Sequence, residues 1–236
     1  MSSNLSALLS ATFYEPGYEH LVELVHQRDP VARRHLASLD VAGYDDEGKL
    51  LFSIPVDPKQ EILDLGTLMS EHTDGPGRVM VVFDAQYDER VFPYRPHHYA
   101  YFHRRGSAAP PLYYAVTAAL GGVPDRIGAT GINNFESYLF RRRGFAERYS
   151  LMLGNLSRFS TAKADVLTHY GATRVSQEVA IAPKAHVEVP LASEQGGEPL
   201  ERVELKAVFR LASYVAGRRD VSNDFVLFDH LFTYFK

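Results

Sequence analysis

Imidazole, phenol and guanidinium groups are densest between Val91 and Gly106, VFPYRPHHYAYFHRRG, where three histidines, three tyrosines and three arginines share sixteen residues. Neutral imidazole titrates nearest working pH and so serves as a general base, and it also ligates zinc, iron or copper. If a strand follows Pro96, period-2 alternation puts His97, Tyr99, Tyr101 and His103 on one face and His98, Ala100 and Phe102 on the other. His97 and His103 then stand roughly 20 Å apart, too far to share one ion. A metal would use His97 or His98 with ligands from elsewhere. His230, set among Val226, Phe228, Phe232 and Tyr234 in the last apolar run, is the histidine paired with His98 for a non-haem divalent metal.

Arginines flank this stretch. Arg95, Arg104 and Arg105 lie within it and Arg126 follows in GGVPDRIGATG, so these four are the expected anion anchors. The glycines around Arg126 match neither a dinucleotide-binding fingerprint nor a phosphate loop, since no Gly-Lys-Ser/Thr follows them. Glu23-x-x-His26 has the spacing of a di-iron ligand pair, but such a site needs a second pair, and the two residues read as a solvated face. No Gly-x-Ser-x-Gly elbow nominates a serine nucleophile. Arginines also interleave with aromatic residues at Tyr101 to Arg105, Tyr138 to Phe145, Arg148-Tyr149 and Arg158-Phe159, which is the composition of a single-strand nucleic-acid groove. Arg141 to Arg143 read equally as a helix end whose charges complement the dipole.

The charge distribution supports an anionic ligand. The net charge of −4 divides into −9 over residues 1–90, +7 over 91–163 and −2 over 164–236. The basic middle either faces a polyanion or is neutralised by the acidic first third. With no cysteine, disulfides, thiolate nucleophiles and cysteine metal sites are excluded. No secretory leader or apolar run of membrane-spanning length is evident, so the expectation is a soluble, cytoplasmic protein without a membrane partner.

The elements that would position these groups are read from periodicity and punctuation. Asn4 to Phe13, Gly17 to Gln27 and the Asp29-Pro30 cap through Leu39 predict three short helices. DVAGY and KLLFSIP around Asp45-Asp46-Glu47-Gly48 predict a hairpin. Asp57-Pro58 predicts a helix with Ile62, Leu65, Leu68 and Met69 on its apolar face, and RVMVVFD (78–84) predicts a buried strand. Helices are expected over Leu112 to Leu120, from Asn133 or Asn134 to Arg143, and between Ser160 and Gly171; Phe145 to Phe159 fits helix and strand equally. Glu201 to Leu211 alternates cleanly, and with 173–182, 185–191 and 225–235 it predicts a four-stranded meander. The apolar last strand is expected inside that sheet or at an oligomer contact. The fold expectation is one α+β domain over 1–236, helix-rich in 1–171 with an antiparallel sheet in 172–236 that the helices cover.

The function this supports is a small-molecule enzyme acting on an anionic or aromatic metabolite, with His97, His98, Tyr99, Tyr101 and His103 as catalytic candidates and Arg95, Arg104, Arg105 and Arg126 as ligand anchors. Binding of nucleic acid or another polyanion through the basic middle is the first alternative. Self-assembly into a homo-oligomer is the second.

Overall fold

The computed structural model describes residues 6–25, 29–57, 59–75, 77–88, 97–120, 134–140 and 146–233. Its elements in chain order are β1 (Ser6–Tyr14), β2 (Tyr18–Glu23), α1 (Pro30–His35), β3 (Leu36–Tyr44), β4 (Leu50–Pro55), β5 (Ile62–Asp64), α2 (Leu65–His72), β6 (Val79–Tyr87), β7 (Tyr99–Arg104), β8 (Leu112–Ala115) and β9 (Thr117–Leu120). There follow β10 (Asn134–Leu139), β11 (Arg148–Gly154), β12 (Ala162–Tyr170), β13 (Thr173–Ile181), β14 (His186–Leu191), β15 (Glu194–Gln195), β16 (Glu198–Pro199), β17 (Arg202–Ala207), β18 (Ala212–Arg218), β19 (Phe225–His230) and β20 (Phe232–Thr233).

The chain is mostly β, and the expected α+β class is wrong. All strand pairs are antiparallel. Sheet I has the order β4-β3-β6-β1-β9, sheet II β5-β2-β7-β8, sheet III β13-β12-β17-β10-β20 and sheet IV β14-β11-β18-β19, with β15-β16 a short ladder. Sheets I and II and one face of sheet IV enclose a first core, to which Phe13, Met80, Phe102, Met152, Tyr214 and Phe228 belong. Sheet III closes a second core against the other face of sheet IV, with Leu151, Leu153, Val203, Leu205 and Val215. Alternate residues of one strand therefore enter different cores: Met152 the first, Leu151 and Leu153 the second.

Burial on both faces explains the misread helices. Leu8 through Phe13 of β1 are all buried, so the strand has no polar face to show a period of two. β2 does alternate, with Tyr18, His20 and Val22 buried, yet the same run also fits a helical spacing over six residues. The segments at 112–120, 134–139 and 162–170, all expected as helices, are β8 with β9, β10 and β12. The Asp29-Pro30 device holds: Asp29 Oδ1 accepts from the N–H groups of Val31 and Ala32, although α1 stops at His35. The later helix begins behind Asp64, not Asp57, and Ile62 is an exposed residue of β5.

The hairpin stands as expected, β3 pairing β4 around Asp45–Lys49, and β6 is the buried central strand of sheet I. The C-terminal meander does not form. β13 and β17 lie in sheet III while β14, β18 and β19 lie in sheet IV, and among the described residues no helix covers them. β19 is an edge strand paired with β18, so it is not internal to a sheet. Its two apolar faces are used differently, Phe225 and Phe228 in the first core and Val226 in the second. Among the described residues no helix is long and apolar enough to cross a membrane.

Candidate functional site

The expected alternation along 97–103 holds, but it sorts the candidates into different environments. His98 (3% exposed), Ala100 and Phe102 point into the first core, while Tyr99, Tyr101 and His103 line the outer face of sheet II. His98 Nδ1 accepts the Val25 N–H at 3.1 Å, which assigns the ring proton to Nε2, and its ring packs 5.1 Å from that of Phe83. His97 Nδ1 lies 3.3 Å from the Val116 carbonyl, and His103 Nε2 donates to the Ala109 carbonyl at 3.0 Å. His230 Nδ1 approaches Asp229 Oδ1 to 3.2 Å, closer than a regular strand suggests, but the geometry is not that of a hydrogen bond. Its ring instead contacts Phe232. Among the described residues no three His, Asp or Glu side chains converge to hold a metal, so His98 and His230 do not form part of such a set. Arg95, Arg126, Arg141 to Arg143 and His26 lie outside the described residues.

The end of β7 is different. Arg104 and Arg105 lead into a turn at Gly106, whose φ of 75° is the left-handed conformation glycine adopts without strain. The loop to Pro110 faces the β18–β19 turn, Arg219 to Asp224, across an open cleft of about 860 Å³. Arg104, Arg105 and Arg219 all line it, from segments 115 residues apart in the sequence. Asp224 is the carboxylate of the cleft, and it is already committed: Arg104 Nη1 reaches it at 3.2 Å, Ser107 Oγ donates to it at 2.8 Å, and Arg104 also donates to the Ser222 carbonyl. Burial alone would raise its pKa. The hydrogen bonds from Ser222, Ser107 and Arg104 outweigh burial and hold the carboxyl below the ordinary range. Arg105 and Arg219 are exposed and make no ion pair among the described residues. The cleft is therefore lined by the Arg219 side chain and by Arg105, whose Nη2 packs against Gly66 of α2, beside one fixed pair.

Two polar assemblies lie away from the cleft. In the first core Thr12 Oγ1 and Tyr114 OH meet at 2.6 Å, Tyr114 OH and His20 Nε2 at 2.9 Å, and Tyr214 OH donates to the Ala11 carbonyl at 2.7 Å. His20 is fully buried, and desolvation pushes its pKa down to about 3, against a small opposing effect of Asp64. It is a neutral core histidine. The second assembly joins sheets I and IV: Arg78 donates to Glu15 at 2.7 Å and to Glu188 at 2.6 Å, and Arg218 sits 3.5 and 3.4 Å from the same two carboxylates. Ser150 Oγ also donates to Glu188 at 2.5 Å, and the Arg218 guanidinium stacks 4.1 Å from the centroid of Phe225. His20 shares its alternation with Tyr18 and Val22, a signal present in the sequence; nothing local announces the pairing of Glu15 with Arg78 and Arg218.

Comparison of the chain with protein-family models, with curated proteins and with solved structures returns no match.

Proposed function

We propose that the cleft between the β7–β8 loop and the β18–β19 turn binds a small ligand through its phosphate or carboxylate groups. The observation that carries this reading is the convergence of Arg104, Arg105 and Arg219 on one cavity whose carboxylate, Asp224, neutralises Arg104 alone. Guanidinium groups offer planar paired donors that match phosphate and carboxylate oxygens, and the cavity is of the size small-molecule sites occupy. The reading is one of binding. The groups around the cleft donate hydrogen bonds and positive charge, and the carboxylate that could act as a base is held ionised by three donors.

The direct measurement is calorimetric titration with sodium pyrophosphate at low salt. Saturable binding is expected, weakened more than tenfold in the Arg105→Ala/Arg219→Ala double variant, because each charge-assisted contact is worth about 1.5–3 kcal/mol. Binding that is absent, or indifferent to both arginines, overturns the reading. A single-stranded oligonucleotide that binds far more tightly than pyrophosphate, with steep salt dependence, would favour the polyanion alternative.

A further inference from the structure

β13 ends sheet III, and β12 is its one partner among the described strands. The two pair along their whole length, Ala162 with Ile181 through Tyr170 with Thr173, without a bulge. Thr173 to Glu178 are exposed on both faces of the strand, so this part of β13 stands clear of the second core, which reaches only Val179 and Ile181. A free edge presents a row of backbone N–H and C=O groups that a further strand can pair with. Proline, lysine or a bulge commonly blunts such an edge, and TRVSQEVAI carries none of them.

The charged residues of β13 are Arg174 and Glu178, and neither joins an ion pair among the described residues. Strand register places them at the ends of two rows on the outer face of sheet III. One row runs Lys206, Asp165, Glu178, and the other Arg202, His169, Arg174. The first reaches the edge with Asp165 opposite Glu178, a like-charge pairing that destabilises a sheet. The second reaches it with Arg174, while Arg202 is already paired with Glu204 at 2.9 Å. Ser176 stands midway between the two edge charges.

A second copy of this strand, laid antiparallel against the edge, can match those charges. A two-fold axis at Ser176 sets Arg174 of each copy opposite Glu178 of the other and brings the two Ser176 residues face to face. The neighbouring registers that keep outward backbone groups opposed are centred on Val175 or Gln177. They set Arg174 opposite Ser176 or Ala180 and match no charge. In the Ser176 register the incoming arginine also offsets the repulsion between Asp165 and Glu178. On the inner face, Val175, 41% exposed, comes diagonal to Val175 and Val179 of the second copy.

We propose that β13 is the interface of a two-fold homodimer, in which two copies of sheet III join edge to edge, centred on Ser176 and held by reciprocal Arg174–Glu178 pairs. The proposal is independent of the anion cleft, which lies on other strands.

The chain holds no cysteine, so a single introduced thiol reports the position of the axis. Oxidised Ser176→Cys should give a disulfide-linked dimer, because residues opposite one another in an antiparallel pair have Cα atoms about 4.5–5.5 Å apart, within the span of a disulfide. Ala180→Cys, exposed on the same strand, should stay unlinked, its two copies roughly 27 Å apart. Sedimentation equilibrium of the unmodified chain should show monomer and dimer. Arg174→Glu and Glu178→Arg should each weaken the dimer more than about tenfold, since the axis doubles every pair and each change turns attraction into repulsion. Combining the two changes restores both pairs and should return the dissociation constant to within about threefold of the parent. Both positions are exposed, and an unchanged far-ultraviolet circular dichroism spectrum confirms that each variant is folded. The proposal is overturned if the chain is monomeric at its highest soluble concentration, if the combined variant stays as weak as the single ones, or if Ser176→Cys links no faster than Ala180→Cys. Growth beyond the dimer into fibres also overturns it, because the two-fold axis leaves no β13 edge free.

Discussion

Two groups of arginines among the described residues differ in how many carboxylates they meet. Arg78 and Arg218 sit between sheets I and IV with two carboxylates, Glu15 and Glu188, and each guanidinium is near both. Arg104, Arg105 and Arg219 share a cleft with one carboxylate, Asp224. The first group is charge-matched and largely enclosed, its side chains between 13% and 26% exposed, and it ties two sheets together. The second has cations in excess and open to solvent. Desolvating a charge is costly unless a partner compensates, so the matched set suits an interior position and the unmatched set suits a surface that waits for an anion. Residue type alone does not separate the two; the count of partners does.

The largest effect expected of any change is in the matched set. Glu188→Ala leaves both Arg78 and Arg218 short of a partner in a half-buried place and should cost about 3 kcal/mol, read as a lower urea midpoint with an unchanged slope. A loss below about 0.5 kcal/mol would mean the four charges are solvated and the contrast with the cleft is false. Acid should reach the interior next. The native pKa of His20 is depressed to about 3, so the unfolded chain binds its proton first: this contribution to stability is complete above pH 6.5 and is lost as pH falls from there toward 3. Between pH 7 and pH 5 the loss should be about 2 kcal/mol. His186, also depressed by burial and by Arg78, acts in the same direction. Chemical denaturation at the two pH values should show this dependence flattened in His20→Gln, and an unaltered dependence would remove His20 from the account.

The cleft should respond through affinity more than stability. Asp224→Asn frees Arg104 and should tighten pyrophosphate binding about fivefold while costing about 1 kcal/mol or less of stability. Its acid effect also comes later than that of the histidines. Asp224 has a lowered pKa, so its stabilisation is present above the ordinary carboxylate range and is lost only as pH falls through the depressed value. Weaker pyrophosphate binding in Asp224→Asn would show that the carboxylate orders the site rather than competing for it. Smallest of all, Arg105→Ala and Arg219→Ala should each change the denaturation midpoint by less than about 0.5 kcal/mol, because exposed, unpaired side chains contribute little. A large loss from either would move it into the matched class.

Much of the local structure is legible in residue types. The Asp29-Pro30 cap and the acidic hairpin turn occur as read, and the strands read over 78–84, 97–103 and 201–211 occur with other ends, as β6 from Val79, β7 from Tyr99 and β17 only to Ala207. Each rests on a signal contained within a few residues. β1, β11 and β18 carry no such signal, since both faces are buried and the pattern of polar and apolar residues that distinguishes strand from helix is erased. Of the cleft, Arg104 and Arg105 stand out by density, but Arg219 and Asp224 have ordinary neighbours. Tyr99, Tyr101 and His103 read in the sequence as one side of a strand; Tyr113 and Glu23 join them on the outer face of sheet II only through register.

The sequence by itself determined the turns, one helix cap, the inward and outward sides of β7 and the excess of positive charge in its middle third. Tertiary structure decided which strands share a sheet, placing β13 and β14 in different sheets across a short turn and making sheet IV a partition between two cores. It also decided which arginines find a carboxylate. Periodicity records only whether a side chain is buried, whereas the identity of its neighbour depends on contacts such as Arg104 with Asp224, which a separation of 120 residues hides from any local reading.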